Sequence, residues 1–393
     1  MLFAVLPTVG VAQEHTPPPL VFDVLAPTEQ EWLRVLEAVE TGDSAQAIEL
    51  SAALAQKVSG FALLDKLRQE LLAAQGEAAM AQLQARWLTA AASVPTAPQG
   101  AAPDEASRLA HEAAQRWAHR DYQVPTTLPF VLALDRGVRH LIVVETSTSR
   151  LFLFRNRPEG LRLERDLYVS IGRRGPGKEV EGDERTPLGV YFTLSRMDEE
   201  GLAERYGAHA FPLDYPNAWD RRESRTGRGI WIHGVPPQTY SRPPLDSDGC
   251  VALTNPDIQW LAKRLAPRRT PVVIVERVPW NAASPSTAEV ARLSGRIERW
   301  LAARAQGEDG ASALEELYDP EALAVPVAGA GLEREDEAPE VRRLALIQDP
   351  TTQGLVVASF GDGWGGWYRQ YWRQDDAGSW RIAAERLRPP RRR

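Results

Sequence analysis

The stretch HLIVVETSTSRLFLFRN, residues 140–156, sets two apolar-alternating runs on either side of a polar turn, and its reading decides the fold. Upstream of it apolar residues recur at about 3.6 positions, and within it at 2, so helix gives way to strand here. Leu161, Leu163, Leu167, Val169 and Ile171 continue the alternation, and 188–194, 230–233 and 272–275 add further strands. Asn255-Pro256 is expected to cap a short helix with Ile258, Leu261 and Leu265 on one face, stopped by Pro267. Residues 138–278 are therefore expected to form a mostly-β domain.

Working outward, residues 25–120 read as helical. Thr28-Glu29-Gln30-Glu31 has the pattern of a capping box, followed at helical spacing by Trp32, Val35, Leu36 and Val39. Thr41-Gly42-Asp43 breaks that helix, and Asp43 can cap the next, giving a tetratricopeptide-like hairpin. More helix is expected over 63–88 and 105–120, with an Ala/Pro/Gly linker at 93–103. Residues 1–12 read as a signal peptide, truncated at its start: an apolar run ends in small residues, while Met1 is followed directly by Leu2 with no basic segment.

Past a second linker at 279–286, residues 288–388 read as a small α+β domain, a helix bearing Trp300 followed by four strands. The aromatics Trp364, Trp367, Tyr368, Tyr371 and Trp372 sit at strand spacing, which favours core over a ligand pocket. The arginine-rich end from Arg381 onward is expected to be solvated.

Composition removes whole classes of function. With 46 basic and 53 acidic residues the chain is net negative, which gives no electrostatic case for nucleic acid. No run approaches the roughly 20 apolar residues of a membrane span. A single cysteine makes neither an internal disulfide nor a multi-thiolate metal site, so no metal or other cofactor is expected. That cysteine, Cys250, closes the segment Ser247-Asp248-Gly249-Cys250, downstream of a strand ending Trp231-Ile232-His233-Gly234. A thiolate nucleophile needs a nearby base and a positive environment, and His233 is a candidate for both. Gly249 allows a tight turn that aims the N–H groups of Gly249 and Cys250 at one point, an oxyanion hole. On chemistry alone, a buried inert thiol and a structural histidine are equally open.

At these residues the sequence resembles the YkuD-type L,D-transpeptidases of bacterial cell walls. The resemblance rests on His233-Gly234, on Ser247 to Cys250, and on Gly182-Asp183-Glu184-Arg185-Thr186-Pro187-Leu188-Gly189, which looks like that family's T-P-x-G turn. It implies a mostly-β L,D-transpeptidase catalytic domain over 138–278 that transfers acyl groups on peptidoglycan stem peptides. Cys250 would attack the stem-peptide carbonyl, His233 would act as base and then acid, and Ser247 would support His233. Two departures stand out: Ala252 occupies a position commonly held by arginine, and Asp248, often His, Arg or Ser, is expected to point away from the sulfur. Arg221, Arg222, Arg225 and Arg228 are candidate partners for a substrate carboxylate, with Tyr215 and Trp219 shaping the pocket. The C-terminal domain resembles the SnoaL-like cone-shaped α+β fold, through its first helix, Tyr318-Asp319-Pro320 and residues 378–382.

The expectation is thus an exported, periplasmic or extracytoplasmic multidomain enzyme that cross-links stem peptides or attaches an amine to them. The alternatives are a cysteine hydrolase trimming stems and a non-catalytic wall-binding scaffold. Its helical and C-terminal parts are candidate contacts for wall-associated proteins.

Overall fold

The computed structural model describes residues 24–74, 76–89, 104–120, 122, 127–283, 286–322 and 339–388. The expected signal peptide and the 93–103 linker lie outside them, as does the end of the arginine-rich tail.

Five helices come first: α1 (Pro27–Glu40), α2 (Ser44–Lys57), α3 (Ala62–Ala73), α4 (Glu77–Thr89) and α5 (Glu105–Ala118). Asp43 caps α2 as expected, its side chain accepting from the Gln46 N–H at 2.9 Å. The capping box at 28–31 is not made. Pro27 opens α1 behind Ala26, and Glu29 is buried instead, its carboxylate shared between Arg116 of α5 and Arg150. The helix opens before Thr28, so Thr28 lies inside the first turn and is not the N-cap, and Glu31, the other half of the four-residue pattern, pairs with Lys57.

The central region is built on a five-stranded sheet in the order β4-β3-β2-β12-β6, comprising β2 (His140–Glu145), β3 (Arg150–Arg157), β4 (Gly160–Tyr168), β6 (Gly189–Phe192) and β12 (Pro271–Val275). Strand alternation gives it two apolar faces. Leu141, Val143, Phe152 and Phe154 pack towards the helices, whereas Ile142, Val144, Leu151 and Leu153 face a second core. That second core is roofed by a smaller sheet, β11-β9-β8-β7, of β7 (Met197–Asp198), β8 (His209–Pro212), β9 (Trp231–His233) and β11 (Val251–Ala252). A two-stranded pair, β5 (Ile171–Gly172) with β10 (Leu245–Ser247), lies beside it. The helix after β11, α7 (Asn255–Ala262), is capped by Thr254 rather than by Asn255, and Leu265 lies past its end. The short α6 (Ala218–Arg222) precedes β9.

The C-terminal part opens with α8 (Thr287–Ala305), held by a capping box between Ser286 and Glu289, and a short α9 (Ala311–Glu315). Strands β13 (Arg342–Gln348), β14 (Leu355–Gly361), β15 (Trp367–Gln374) and β16 (Trp380–Arg388) form an antiparallel meander. Tyr368, Tyr371 and Trp372 are buried in core, as their strand spacing indicates. One strand of this sheet was not expected from the sequence: β1 (Val131–Leu134), upstream of the central region, pairs with β13 and completes the sheet; the short β7, β8, β10 and β11 were likewise not expected. No helix among the described residues is long and apolar enough to cross a membrane.

Candidate active site

Strands β9 and β11 run parallel, with Val251 beside Ile232 and Ala252 beside His233. Ile232 and Val251 point into the core beneath, so alternation sends Trp231, His233 and Ala252 to the other face. Cys250 immediately precedes β11, after Gly249 at φ +120°, with its thiol beside the Gly229 carbonyl and the Trp231 backbone that leads into His233. Small residues leave room for the imidazole, since Ala210 of β8 and Ala252 of β11 are its cross-strand neighbours. Tyr206 closes over it, its ring 5.1 Å from the imidazole edge-on and 4.6 Å from Trp231.

His233 is buried, and its Nδ1 lies 2.6 Å from the Gly234 carbonyl. A carbonyl only accepts, so Nδ1 carries the proton and Nε2 is left as a base. Burial lowers the imidazole pKa to about 4, the Gly234 carbonyl working against the shift and the charges of Arg242 and Arg205 adding to it. His233 is therefore neutral near pH 7. It can be the base, but it does not supply the positive environment expected from the sequence.

Cys250 is half-buried and is the protein's one thiol, donating to the Gly229 carbonyl at 3.3 Å. Burial raises its pKa to about 11, Asp248 adding to the shift, while the Trp231 N–H, Arg242 and Arg205 oppose it. The resting pair is thus thiol and neutral imidazole. Asp248 is exposed and pairs with Arg173 at 2.7 Å, a contact that draws its carboxylate outward as anticipated.

The turn carrying Cys250 is held from three sides. Ser247 Oγ donates to the Cys250 carbonyl at 2.6 Å and accepts from the Gly249 N–H at 3.1 Å. Ser247 thus braces the nucleophile's own turn and not His233, whose orientation comes from Gly234. The Gly249 N–H is spent on that brace, which removes it from the expected oxyanion pair with Cys250. Gly249 has φ +120°, and a Cβ there would lie 2.6 Å from the Arg185 carbonyl. Buried Thr186 ties the segment at 182–189 into the site, donating to the Gly249 carbonyl and accepting from the Gly172 N–H, each at 2.9 Å.

Asn255 is a site residue the sequence reading used only as a helix cap. Its Oδ1 accepts from Ala208 and Val235, and its Nδ2 donates to the Val235 carbonyl at 2.8 Å. A Cβ on Gly234 would stand 2.3 Å from that oxygen, so the glycine after His233 is required by packing.

The loop arginines are mostly committed elsewhere. Arg222 donates to the Ala383 carbonyl at 2.7 Å and pairs with Asp319 of the C-terminal part. Arg225 pairs with buried Asp220 at 2.9 Å, and Arg221 donates to the Pro216 carbonyl. Arg228 is exposed, adjoining the Gly229 that receives the thiol. Tyr215 is buried and donates to the Thr226 carbonyl, and Trp219 is buried against Arg373, so both brace the loop internally.

A family model described as the L,D-transpeptidase catalytic domain, YkuD, matches residues 139–274. Among solved structures, Bd1075 of Bdellovibrio bacteriovorus is similar over 68% of this chain and 99% of its own, at 23% identity and a TM-score of 0.47. The helical cell shape determining protein Pgp2 from Campylobacter jejuni is similar over 63% of this chain and 91% of its own, at 20% identity and a TM-score of 0.47. An L,D-transpeptidase from Mycobacterium smegmatis covers 35% of this chain and 58% of its own, at 16% identity and a TM-score of 0.23. No curated protein matches the chain.

Proposed function

Since residues 139–274 match the family model of the YkuD L,D-transpeptidase catalytic domain, we propose that this protein is an extracytoplasmic acyltransferase acting on peptidoglycan stem peptides through Cys250. What supports this reading is the parallel pairing of β9 with β11, which sets the strand ending in the tautomer-fixed His233 beside the strand that Cys250 opens onto, the thiol donating to the Gly229 carbonyl just before β9.

In the proposed reaction His233 Nε2 takes the thiol proton as Sγ attacks a stem-peptide carbonyl. The tetrahedral intermediate collapses as the amine of the terminal residue leaves with a proton from the imidazolium, and a thioester remains on Cys250. An acceptor amine then attacks the thioester, giving up its proton to His233, and regenerates the thiol. Because thiol and imidazole both rest neutral, the charge pair forms only in the presence of substrate, which protects the resting thiol from oxidants.

A second reading follows from Ala252. It is 2% exposed, beside His233, and supplies no cation for a second stem peptide. Water needs no such anchor, so hydrolysis of the same thioester is the competing outcome. Mass spectrometry of stem peptides incubated with the protein tests both readings. Cross-linked or amine-substituted products support transfer, trimmed monomers alone support hydrolysis, and unchanged peptides with no thioester on Cys250 would overturn the reading altogether.

A further inference from the structure

Two cations near the nucleophile belong to none of the groups discussed as substrate contacts. Arg205 lies in the 204–206 turn, its guanidinium carbon 4.8 Å from the centre of the Tyr206 ring, and that ring meets His233 edge-on. Arg242 lies in the segment between His233 and Cys250, and its Nη1 approaches the Asp246 carbonyl at 3.5 Å, one residue before Ser247. Each is near enough for its charge to be felt by both Cys250 and His233.

The aspartates nearest the nucleophile have other ion-pair partners. Asp246, which also feels the charge of Arg242, pairs with Arg108 of α5, and Asp248 pairs with Arg173, which also holds Glu184. Neither Arg205 nor Arg242 makes an ion pair among the described residues. Arg242 is half-buried and Arg205 exposed, so both are open to an incoming anion. Two guanidinium groups whose charges reach one nucleophile make a local positive field in a net negative protein.

We propose that Arg205 and Arg242 form a carboxylate-binding pair that seats an anionic peptide substrate with its scissile carbonyl at Cys250. This deepens the proposed function and rests on it for the identity of the anion. Guanidinium groups suit the task, because they hold carboxylates through paired N–H donors and stay charged throughout the accessible pH range.

The protein's single cysteine allows a test that needs no knowledge of the substrate. Iodoacetate and iodoacetamide alkylate the same sulfur and differ by one negative charge, so the ratio of their rates, followed by intact mass, reads the field at Cys250. Arg205→Gln and Arg242→Gln are each expected to lower that ratio by roughly three-fold, as for a unit charge about 6 Å away in water. The double variant should lower it by about ten-fold, and the wild-type ratio should fall with added salt. Arg205→Lys and Arg242→Lys should retain most of the ratio, which separates lost charge from lost folding. The proposal is overturned if the wild-type ratio is insensitive to salt and matches that of a free thiol, or if Arg228→Gln alone lowers it. Turnover of a stem tetrapeptide by the wild type is measured alongside. A strong ratio without turnover refutes the proposed function and leaves the anion site standing, while turnover with a flat ratio does the reverse.

Discussion

At the scale of single residues, burial governs the chemistry. With His233 at about 4 and Cys250 at about 11, neither group titrates between those values. The rate of acylation by a stem peptide should therefore be level from about pH 5 to 9, because free-enzyme pKa values set the limbs of such a profile. A limb near 6.5 would show that His233 is not held neutral as the geometry requires. Cys250→Ala should abolish thioester formation, and His233→Ala should slow it at least ~100-fold while leaving the melting transition in place. Retained turnover in Cys250→Ala would remove this thiol from the mechanism. Gly249→Ala adds a Cβ where φ is +120° and a carbonyl is 2.6 Å away, so a loss of about 1–3 kcal/mol is expected, read by urea unfolding. That the segments of Cys250 and His233 come together was legible because they are local motifs with a fixed gap. The place of Ser247 beside them was legible but not its hydrogen bonds, since the direction of a hydroxyl depends on the turn it closes. The role proposed for Arg205 and Arg242 was not legible, because neither belongs to the motifs at 233–234 and 247–250, although Arg242 falls between them.

At the scale of elements, the segment between His233 and Cys250 is held by the N-terminal helices. Arg108 and Glu112 of α5 grip Asp246 and Ser241, the latter at 2.7 Å, while the Gly60 carbonyl accepts from the Tyr240 N–H at 2.9 Å. A Cβ on Gly60, where φ is +71°, would fall 2.0 Å from the Gln238 carbonyl. Gly60→Ala is thus expected to push this segment outward, lowering the melting temperature and slowing acylation together. Unaltered acylation in a destabilised variant would show that the helices support the fold without setting the turn at Cys250. Strands β2, β3, β12 and β13 to β16 were legible from alternation and β-branched content, and the helices from their 3.6 period. The capping-box pattern at 28–31 misled because the helix opens one residue earlier, at Pro27, which puts Thr28 inside it. Residues 131–134, Val-Leu-Ala-Leu, show no alternation, and the strand exists only because β13 is there to pair with it.

At the scale of the whole molecule, the helical and catalytic regions are joined by a buried charge cluster. Glu29 meets Arg116 and Arg150, Arg116 also pairs with Glu112 at 2.9 Å, and its guanidinium lies 3.7 Å from the Tyr168 ring. Burial opposes the charge on Arg116, and Glu29 and Glu112 more than restore it. Removing one member strands the others in the interior, so Glu29→Ala should cost about 3–5 kcal/mol in unfolding free energy. A cost near zero would mean that water reaches the cluster. The C-terminal sheet grips the catalytic region in the same fashion, through buried Arg369 on Asp214 and through Arg222 on Asp319. The pairing of β1 with β13 goes further than contact, because it threads the chain through its neighbour before the catalytic region begins. That region is tethered at both ends, by a covalent connection at 279–286 and by a strand left behind in the adjoining sheet. A protease site placed at 279–286 and cut to completion should then yield two polypeptides that travel as one particle in gel filtration, parting only in denaturant. Two separate peaks would mean that the hydrogen bonds of one short strand, with the ion pairs beside it, are too weak a rivet.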